Sequence, residues 1–283
     1  MGNSPVFDAA AITARHHGLT VIRGVRGGGQ KSVWEVSYNG DRYALKVMNS
    51  ATDAIERAKR EIDIMRKCDC PHLVKLGPLP LQNIQVGGQA YIYYLEEFID
   101  GTALDQEPKP MNLDLCKKLG LHLGAALKSL WGNRVVHRDI KPGNTMLRAD
   151  RVNFVLLDVG FALDLADSSI TGAGLIVGTQ LYLSPDQIRL AKRQLDFRSD
   201  LHAIGLCMYE CLIGLHPLWN PNVNRTDLKD NILNLPPLPL TQFRAEVPPS
   251  LEMIVLRLLE KEPHLRYSRI DYFIDELEAV QLP

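Results

Sequence analysis

The run HRDIKPGN at 137–144, followed by DVG at 158–160, gathers two carboxylates, an ammonium and a carboxamide. Transfer of a phosphoryl group needs little covalent help and much electrostatic positioning, so its chemistry selects groups of these types converging on one polyphosphate. Asp139 suits a base that takes the proton of an attacking hydroxyl, and Lys141 a cation that neutralises phosphate charge. Asn144 and Asp158 offer hard oxygens to magnesium. The five-residue step from Asp139 to Asn144 allows a tight loop to present both side chains to one cavity, and Asp158 follows Asp139 by nineteen residues. A polar loop that merely turned the chain would not explain this combination of residue types.

Such residues need elements to hold them. Three strand-like runs, LTVIRGV, SVWEVSY and RYALKVM, come early, the last two joined by Asn39-Gly40, a hairpin signal. A twisted antiparallel sheet follows from them. From Ala51 to Arg66 the pattern becomes helical, with Ile55, Ala58, Ile62 and Met65 on one side and charges on the other. AYIYYLEEF is a further strand, and Gly101 opens a link to a mainly helical second half. There Leu115, Leu119, Leu123, Leu127 and Leu130 recur at the spacing of a core-facing helix. LPPLPL at 235–240 reads as a loop between helices rather than a polyproline ligand. Asp8 before three alanines, with Gly18 beyond them, marks a short capped helix ahead of everything else.

Composition excludes some functions. Thirty-two basic and 33 acidic residues give a net charge of −1, which leaves no electrostatic footprint for nucleic acid or anionic lipid. Five cysteines with no C-x-x-C among them read as reduced, buried thiols. No stretch of eighteen uncharged apolar residues occurs, and Ala203–Trp219 is interrupted by Glu210 and His216. The start, MGNSPVF, has Val6 where an N-myristoylation signal wants Ser or Thr, and it lacks the regions of a signal peptide. A soluble, cytoplasmic protein without a membrane or nucleic-acid partner is expected; the oligomeric state is left open.

From about Leu19 to the last helix the chain resembles the eukaryotic-like, Hanks-type serine/threonine protein kinases, in a stand-alone bacterial-type form. ALKV resembles the strand carrying the phosphate-touching lysine, here Lys46, with Ala44 two places before it. Glu61 in KREIDIM, ten residues before Pro71 of CPHLV, aligns with the glutamate that pairs with that lysine. GTQLYLSPDQ at 178–187 resembles G-T-x-x-Y-x-A-P-E, the floor for a protein substrate, and places Thr179 beside Asp139. RSDLHAIG puts Asp200 where a buried aspartate ties down the catalytic loop, and Arg266 in EKEPHLRYS matches the arginine that pairs with the last acid of A-P-E, here Asp186. Lys141, two places after Asp139, resembles the serine/threonine class rather than the tyrosine class. Arg138 would hold a phosphate on the segment after DVG, with Ser168, Ser169 and Thr171 as acceptors.

The resemblance implies an α+β, bilobal protein-kinase-like fold with a small antiparallel β-rich N-lobe carrying one regulatory helix, a larger helical C-lobe, and ATP in the cleft. Residues 1–18 would be a helical extension, 19–100 the N-lobe and 101–283 the C-lobe. It further implies ATP with Mg2+ or Mn2+, and protein substrates with Ser/Thr acceptors, the kinase itself included. Gly27, Gly28, Gly29, Lys31, Val33, Ala44, Lys46 and Glu97 would meet the nucleotide.

Several residues depart from the pattern. Aligning Val33 with the last residue of G-x-G-x-x-G-x-V leaves Arg26 and Lys31 at the first and third glycine positions. Val159 replaces the phenylalanine of D-F-G, Asp186 the glutamate of A-P-E, and Glu96 stands where an apolar residue or threonine lines the back of the adenine pocket. A pseudokinase scaffold is an alternative that the glycine loop favours, but it predicts loss of catalytic groups, and none is lost. A small-molecule phosphotransferase of related fold would lack the segment from Thr179 to Arg266.

Overall fold

Alternating apolar residues in the first hundred positions build a five-stranded antiparallel sheet. Its strands are β1 (Leu19–Gly28), β2 (Lys31–Tyr38), β3 (Asp41–Asn49), β4 (Gln82–Val86) and β5 (Gln89–Glu97), in the spatial order β1-β2-β3-β5-β4. The computed structural model describes residues 9–28, 31–159, 163–164, 179–189, 195–219 and 225–283. Its contacts divide it into two units, Met1–Asp69 with Val74–Asp100 and Cys70–Leu73 with Gly101–Pro283.

In the smaller unit, Asn39 and Gly40 adopt φ of 54° and 96°, the left-handed pair that a two-residue hairpin needs to match strand twist. The register that follows sets Lys46 opposite Val33 on one side and Tyr94 on the other. A second hairpin, turning at Gly87 (φ 58°) and Gly88 (φ 79°), adds β4, which the sequence reading did not assign. Helix α2 (Thr52–Lys67) buries Ala58, Ile62, Ile64 and Met65, and with them Glu61. Asp53 in its first turn and Arg66 and Lys67 in its last complement the helix dipole.

Helix α1 (Ala10–Thr13) is shorter than the expected capped helix. Asp8 lies outside the described residues, the N-cap position is Ala9 with no side-chain hydrogen bond, and the helix stops well before Gly18. His16 leaves the helix to meet the Tyr93 hydroxyl at 2.8 Å, and Arg15 donates to the Asn83 carbonyl at 2.8 Å. Ala9 and Ile12 are buried in the same core as Leu19, Val36, Leu45, Tyr93 and Leu95. The segment ahead of β1 is therefore part of the packing of the sheet.

The larger unit is mainly helical: α3 (Leu113–Gly132), α4 (Pro185–Arg189), α5 (Phe197–Ile213), α6 (Arg225–Asn234), α7 (Pro249–Leu258) and α8 (Ile270–Glu278). The leucines of α3 line a face that packs against α5 and α8, and Asn112 caps it by accepting from the Leu115 N–H. Close approach depends on missing side chains: a Cβ on Gly205 of α5 would lie 2.8 Å from Leu258 Cβ on α7. Strands β6 (Gly101–Ala103), β8 (Thr145–Arg148) and β9 (Phe154–Leu156) form a small antiparallel sheet, and β7 (Val135–Val136) pairs with β10 (Leu163–Asp164). Residues 235–240 form the first part of the connection from α6 to α7, with the Leu238 carbonyl accepting from Tyr209. All five cysteines are buried thiols and none forms a disulfide. Among the described residues no helix is long and apolar enough to cross a membrane.

Three histidines of this unit are kept neutral. His122 stacks on His72 with ring centroids 3.8 Å apart and accepts the Phe154 N–H on Nδ1; burial, with His72 and Lys118 nearby, pushes it down to about 4. Burial likewise pushes His216 down to about 4 and His202 well below its ordinary value. Because the unfolded chain binds protons that these rings refuse, stability is full above the ordinary imidazole range and falls as the pH drops toward 4. His202 is fully buried, and among the described residues neither ring nitrogen has a hydrogen-bond partner. His202→Leu should therefore flatten the loss of melting temperature between neutral and acid pH; an acid limb as steep as that of the wild type would contradict this reading.

Candidate active site

Two clusters of buried polar side chains stand out, one in each unit. In the larger, β7 delivers the chain into the loop His137–Asn144, and β8 and β9 bring its end back beside Asp158. Thr145 pairs with Leu156 across the β8–β9 ladder, and the Leu157 N–H donates to the Asn144 carbonyl at 2.7 Å, so Asp158 follows directly from a residue tied to Asn144.

Within the loop the donors of Lys141 and Asn144 converge on Asp139. Lys141 donates to both carboxylate oxygens of Asp139 at 2.8 Å, and the Asn144 amide donates to Asp139 Oδ2 at 2.8 Å and to its carbonyl at 3.0 Å. Asp139 is nevertheless only 5% exposed, so its charge is held by these two neighbours rather than by water. With its amide nitrogen spent on Asp139, the Asn144 oxygen is the part of that side chain left for another partner. His137 accepts the Asp139 N–H on Nδ1 at 3.2 Å and therefore carries its proton on Nε2, which donates to the Leu157 carbonyl at 3.3 Å.

The loop's shape depends on Asp200, at the start of α5. Its two oxygens accept the N–H groups of His137 (2.7 Å) and Arg138 (2.8 Å). Arg138 sits at φ 70°, a left-handed conformation that an L-residue adopts only when its surroundings demand it. Burial raises the Asp200 carboxyl above the ordinary range, opposed by His137 and these backbone hydrogen bonds. From the other side, Gln187 of α4 donates to the Arg138 carbonyl at 2.9 Å. Gln187 and Ser184 also form a reciprocal capping box, Ser184 N–H to Gln187 Oε1 and Gln187 N–H to Ser184 Oγ. The S-x-x-Q spacing was visible in the sequence, though the reading passed over it.

Beneath α4, Arg266 donates from Nη1 to Asp186 Oδ2 at 2.6 Å and from Nη2 to Oδ1 at 3.1 Å. It also meets the carbonyls of Arg198 and Glu260, and Ser199 donates to Asp186. The shorter aspartate side chain thus still closes a bidentate pair.

In the smaller unit, Lys46 on β3 donates to Glu61 Oε1 of α2 at 2.6 Å, and its ammonium lies 2.7 Å from Glu96 Oε2 of β5. All three side chains are buried. The contact with Glu96 was not foreseen. It follows from the pairing of β3 with β5, which sets Glu96 opposite Ala44, two residues from Lys46. Gly27 and Gly28 end β1 opposite Ser32 and Lys31, and Val33 faces Arg26. Glu97 lies opposite Tyr43, its N–H donating to the Lys75 carbonyl at 2.8 Å. Gly29, Ser168, Ser169 and Thr171 lie outside the described residues, as does the side chain of Thr179.

Removing Arg266 strands the Asp186 carboxylate in the interior. Arg266→Ala should cost roughly 3–5 kcal/mol of stability and lower the melting temperature accordingly; an unchanged melting temperature would show that the pair contributes nothing.

Residues 26–278 match the family profile of the protein kinase domain. Among curated proteins, the serine/threonine-protein kinase pkn3 of Myxococcus xanthus is 33% identical over 200 residues, covering 67% of this chain and 36% of that protein. The serine/threonine-protein kinase PknH of Mycobacterium tuberculosis is 28% identical over 250 residues, covering 85% of this chain and 38% of its own length. The probable serine/threonine-protein kinase PknB of Lactococcus lactis is 27% identical over 267 residues, 91% of this chain and 41% of PknB. The chain thus spans well under half the length of these relatives. With the profile covering most of the sequence, the chain belongs to the protein kinase domain family.

Proposed function

We propose that the protein is an ATP-dependent serine/threonine protein kinase, and that it acts in the cytoplasm. The observation that carries this reading is the closed network Lys141–Asp139–Asn144 on a loop held by Asp200. Asp139 orients the acceptor hydroxyl and takes its proton. Lys141, already on the Asp139 carboxylate, meets the charge that develops on the transferred phosphoryl group. Lys46, steadied by Glu61, binds the α and β phosphates of ATP, while Gly27–Gly29, Lys31, Val33, Ala44 and Glu97 complete the nucleotide contacts.

Asn144 and Asp158 fit a magnesium ion. Mg2+ is bound through one or two protein oxygens together with substrate phosphates, so it does not need a cage of side chains. Among the described residues no group of three or more His, Cys, Asp or Glu forms one. When bound, the ion neutralises phosphate charge as the γ-phosphoryl group is transferred. Mn2+ has the same preference for oxygen ligands and would serve as well.

Protein rather than metabolite substrates are supported by the segment from Thr179 to Arg266, in which α4 is tied both to Arg138 and, through Asp186, to Arg266. Autophosphorylation at Ser168, Ser169 or Thr171 would add about −1.5 to −2 of charge for the guanidinium of Arg138 to bind.

Asp139→Asn and Asp158→Asn should each leave the melting temperature close to that of the wild type and remove transfer to a generic protein substrate, the former by roughly 10²–10⁴-fold. Wild-type rates in either would sink the assignment. Phosphorylated peptides from the wild type should map to 168–171, and replacing Ser168, Ser169 and Thr171 together by alanine should slow transfer. Full activity in that variant, with no response of the wild type to phosphatase, would remove the segment from the mechanism.

A further inference from the structure

The Lys46 ammonium stands between two buried carboxylates. It donates a hydrogen bond to Glu61, while Glu96 Oε2 lies 2.7 Å away in charge contact and accepts no hydrogen bond among the described residues. Glu96 is 4% exposed. The charged groups facing it are Lys46 from β3, Glu61 from α2 and Lys31 from β2, and on its own strand the Tyr94 ring lies 5.7 Å from the ammonium. Two ionised carboxylates on one ammonium leave a net negative charge where water does not reach, and that is costly. Burial first, and the charge of Glu61 with it, push Glu96 up to about 7 against the pull of Lys46. A polyphosphate arriving at Lys46 adds more negative charge and makes the ionised form of Glu96 costlier still.

We propose that Glu96 is a positioning residue for Lys46 that gates its charge: ionised, it competes with nucleotide phosphates for the ammonium, and protonated, it leaves Lys46 to Glu61 and the phosphates. Nucleotide binding is then coupled to uptake of one proton from solvent onto the Glu96 carboxylate. This rests on the phosphate-binding role proposed for Lys46. The same side chain can be read as a mere buried packing residue, and that reading predicts no such coupling.

Calorimetric titration of the full chain with ADP and magnesium, in buffers of different ionisation enthalpy from about pH 6 to about pH 8.5, separates the two. In the wild type, affinity should weaken by up to about tenfold per pH unit above neutrality, with proton uptake on binding. Glu96→Gln should bind ADP at the alkaline end as tightly as the wild type does at the acid end, and without that uptake. Adenosine, which has no phosphates, should bind the wild type without proton uptake, a comparison that holds even if the variant folds poorly. Equal pH profiles and equal uptake in wild type and Glu96→Gln, or equal uptake with ADP and adenosine, would overturn the gate while leaving the proposed function standing. Failure of the wild type to bind ADP at any pH would overturn the proposed function, and the gate with it.

Discussion

Two backbone N–H groups decide the shape of the loop His137–Asn144. His137 and Arg138 point them at one carboxylate, Asp200, and the hydrogen bonds of 2.7 and 2.8 Å hold Arg138 in a left-handed conformation it would not otherwise keep. A strained turn persists only when its surroundings over-determine it. Here the surroundings are the N-terminus of a fully packed helix, α5, which Gly205 allows to approach α7 closely. The core of the larger unit thus reaches the loop through Asp200, with Gln187 of α4 bracing the Arg138 carbonyl from the other side. Asp139, Lys141 and Asn144 inherit their geometry from that anchor.

The buried charges are arranged in two ways. Arg266 and Asp186 are satisfied on all sides, bidentate to each other and bonded to neighbouring carbonyls and a hydroxyl, as expected of a pair whose task is to hold α4 in place. Lys46 is different, since one ammonium serves two carboxylates and the Oε2 of one of these accepts no hydrogen bond among the described residues. An unbalanced cluster of this kind has a reason to respond to an arriving polyanion or proton. Asp139 lies between these cases, since Lys141 and Asn144 satisfy it from within its own loop.

Much of this was legible because the chemistry fixes residue type and spacing together. Asn39-Gly40 announces a left-handed hairpin that few other dipeptides make, and the contacts of Asp200 and of Arg266 with Asp186 follow from motif positions. Strand β4 escaped because QNIQV carries only two apolar residues, Ile84 and Val86, and its Gly87-Gly88 turn was not weighed as a hairpin signal. Helix α1 was read from a cap that lies outside the described residues, and its burial through Ala9 and Ile12 depends on a sheet face that forms only once the strands pair. The contact of Glu96 with Lys46 was not legible at all. It arises from the register of β3 on β5, and a shift of one residue would have turned Glu96 to the other face.

Incubation of the purified chain with γ-labelled ATP, magnesium and a generic protein substrate, followed by mapping of the labelled residues, tests the account most directly. It predicts label on serine and threonine hydroxyls of the protein substrate and of the kinase itself. Nucleotide binding without any transfer to protein, or label found only on a small metabolite, would contradict it.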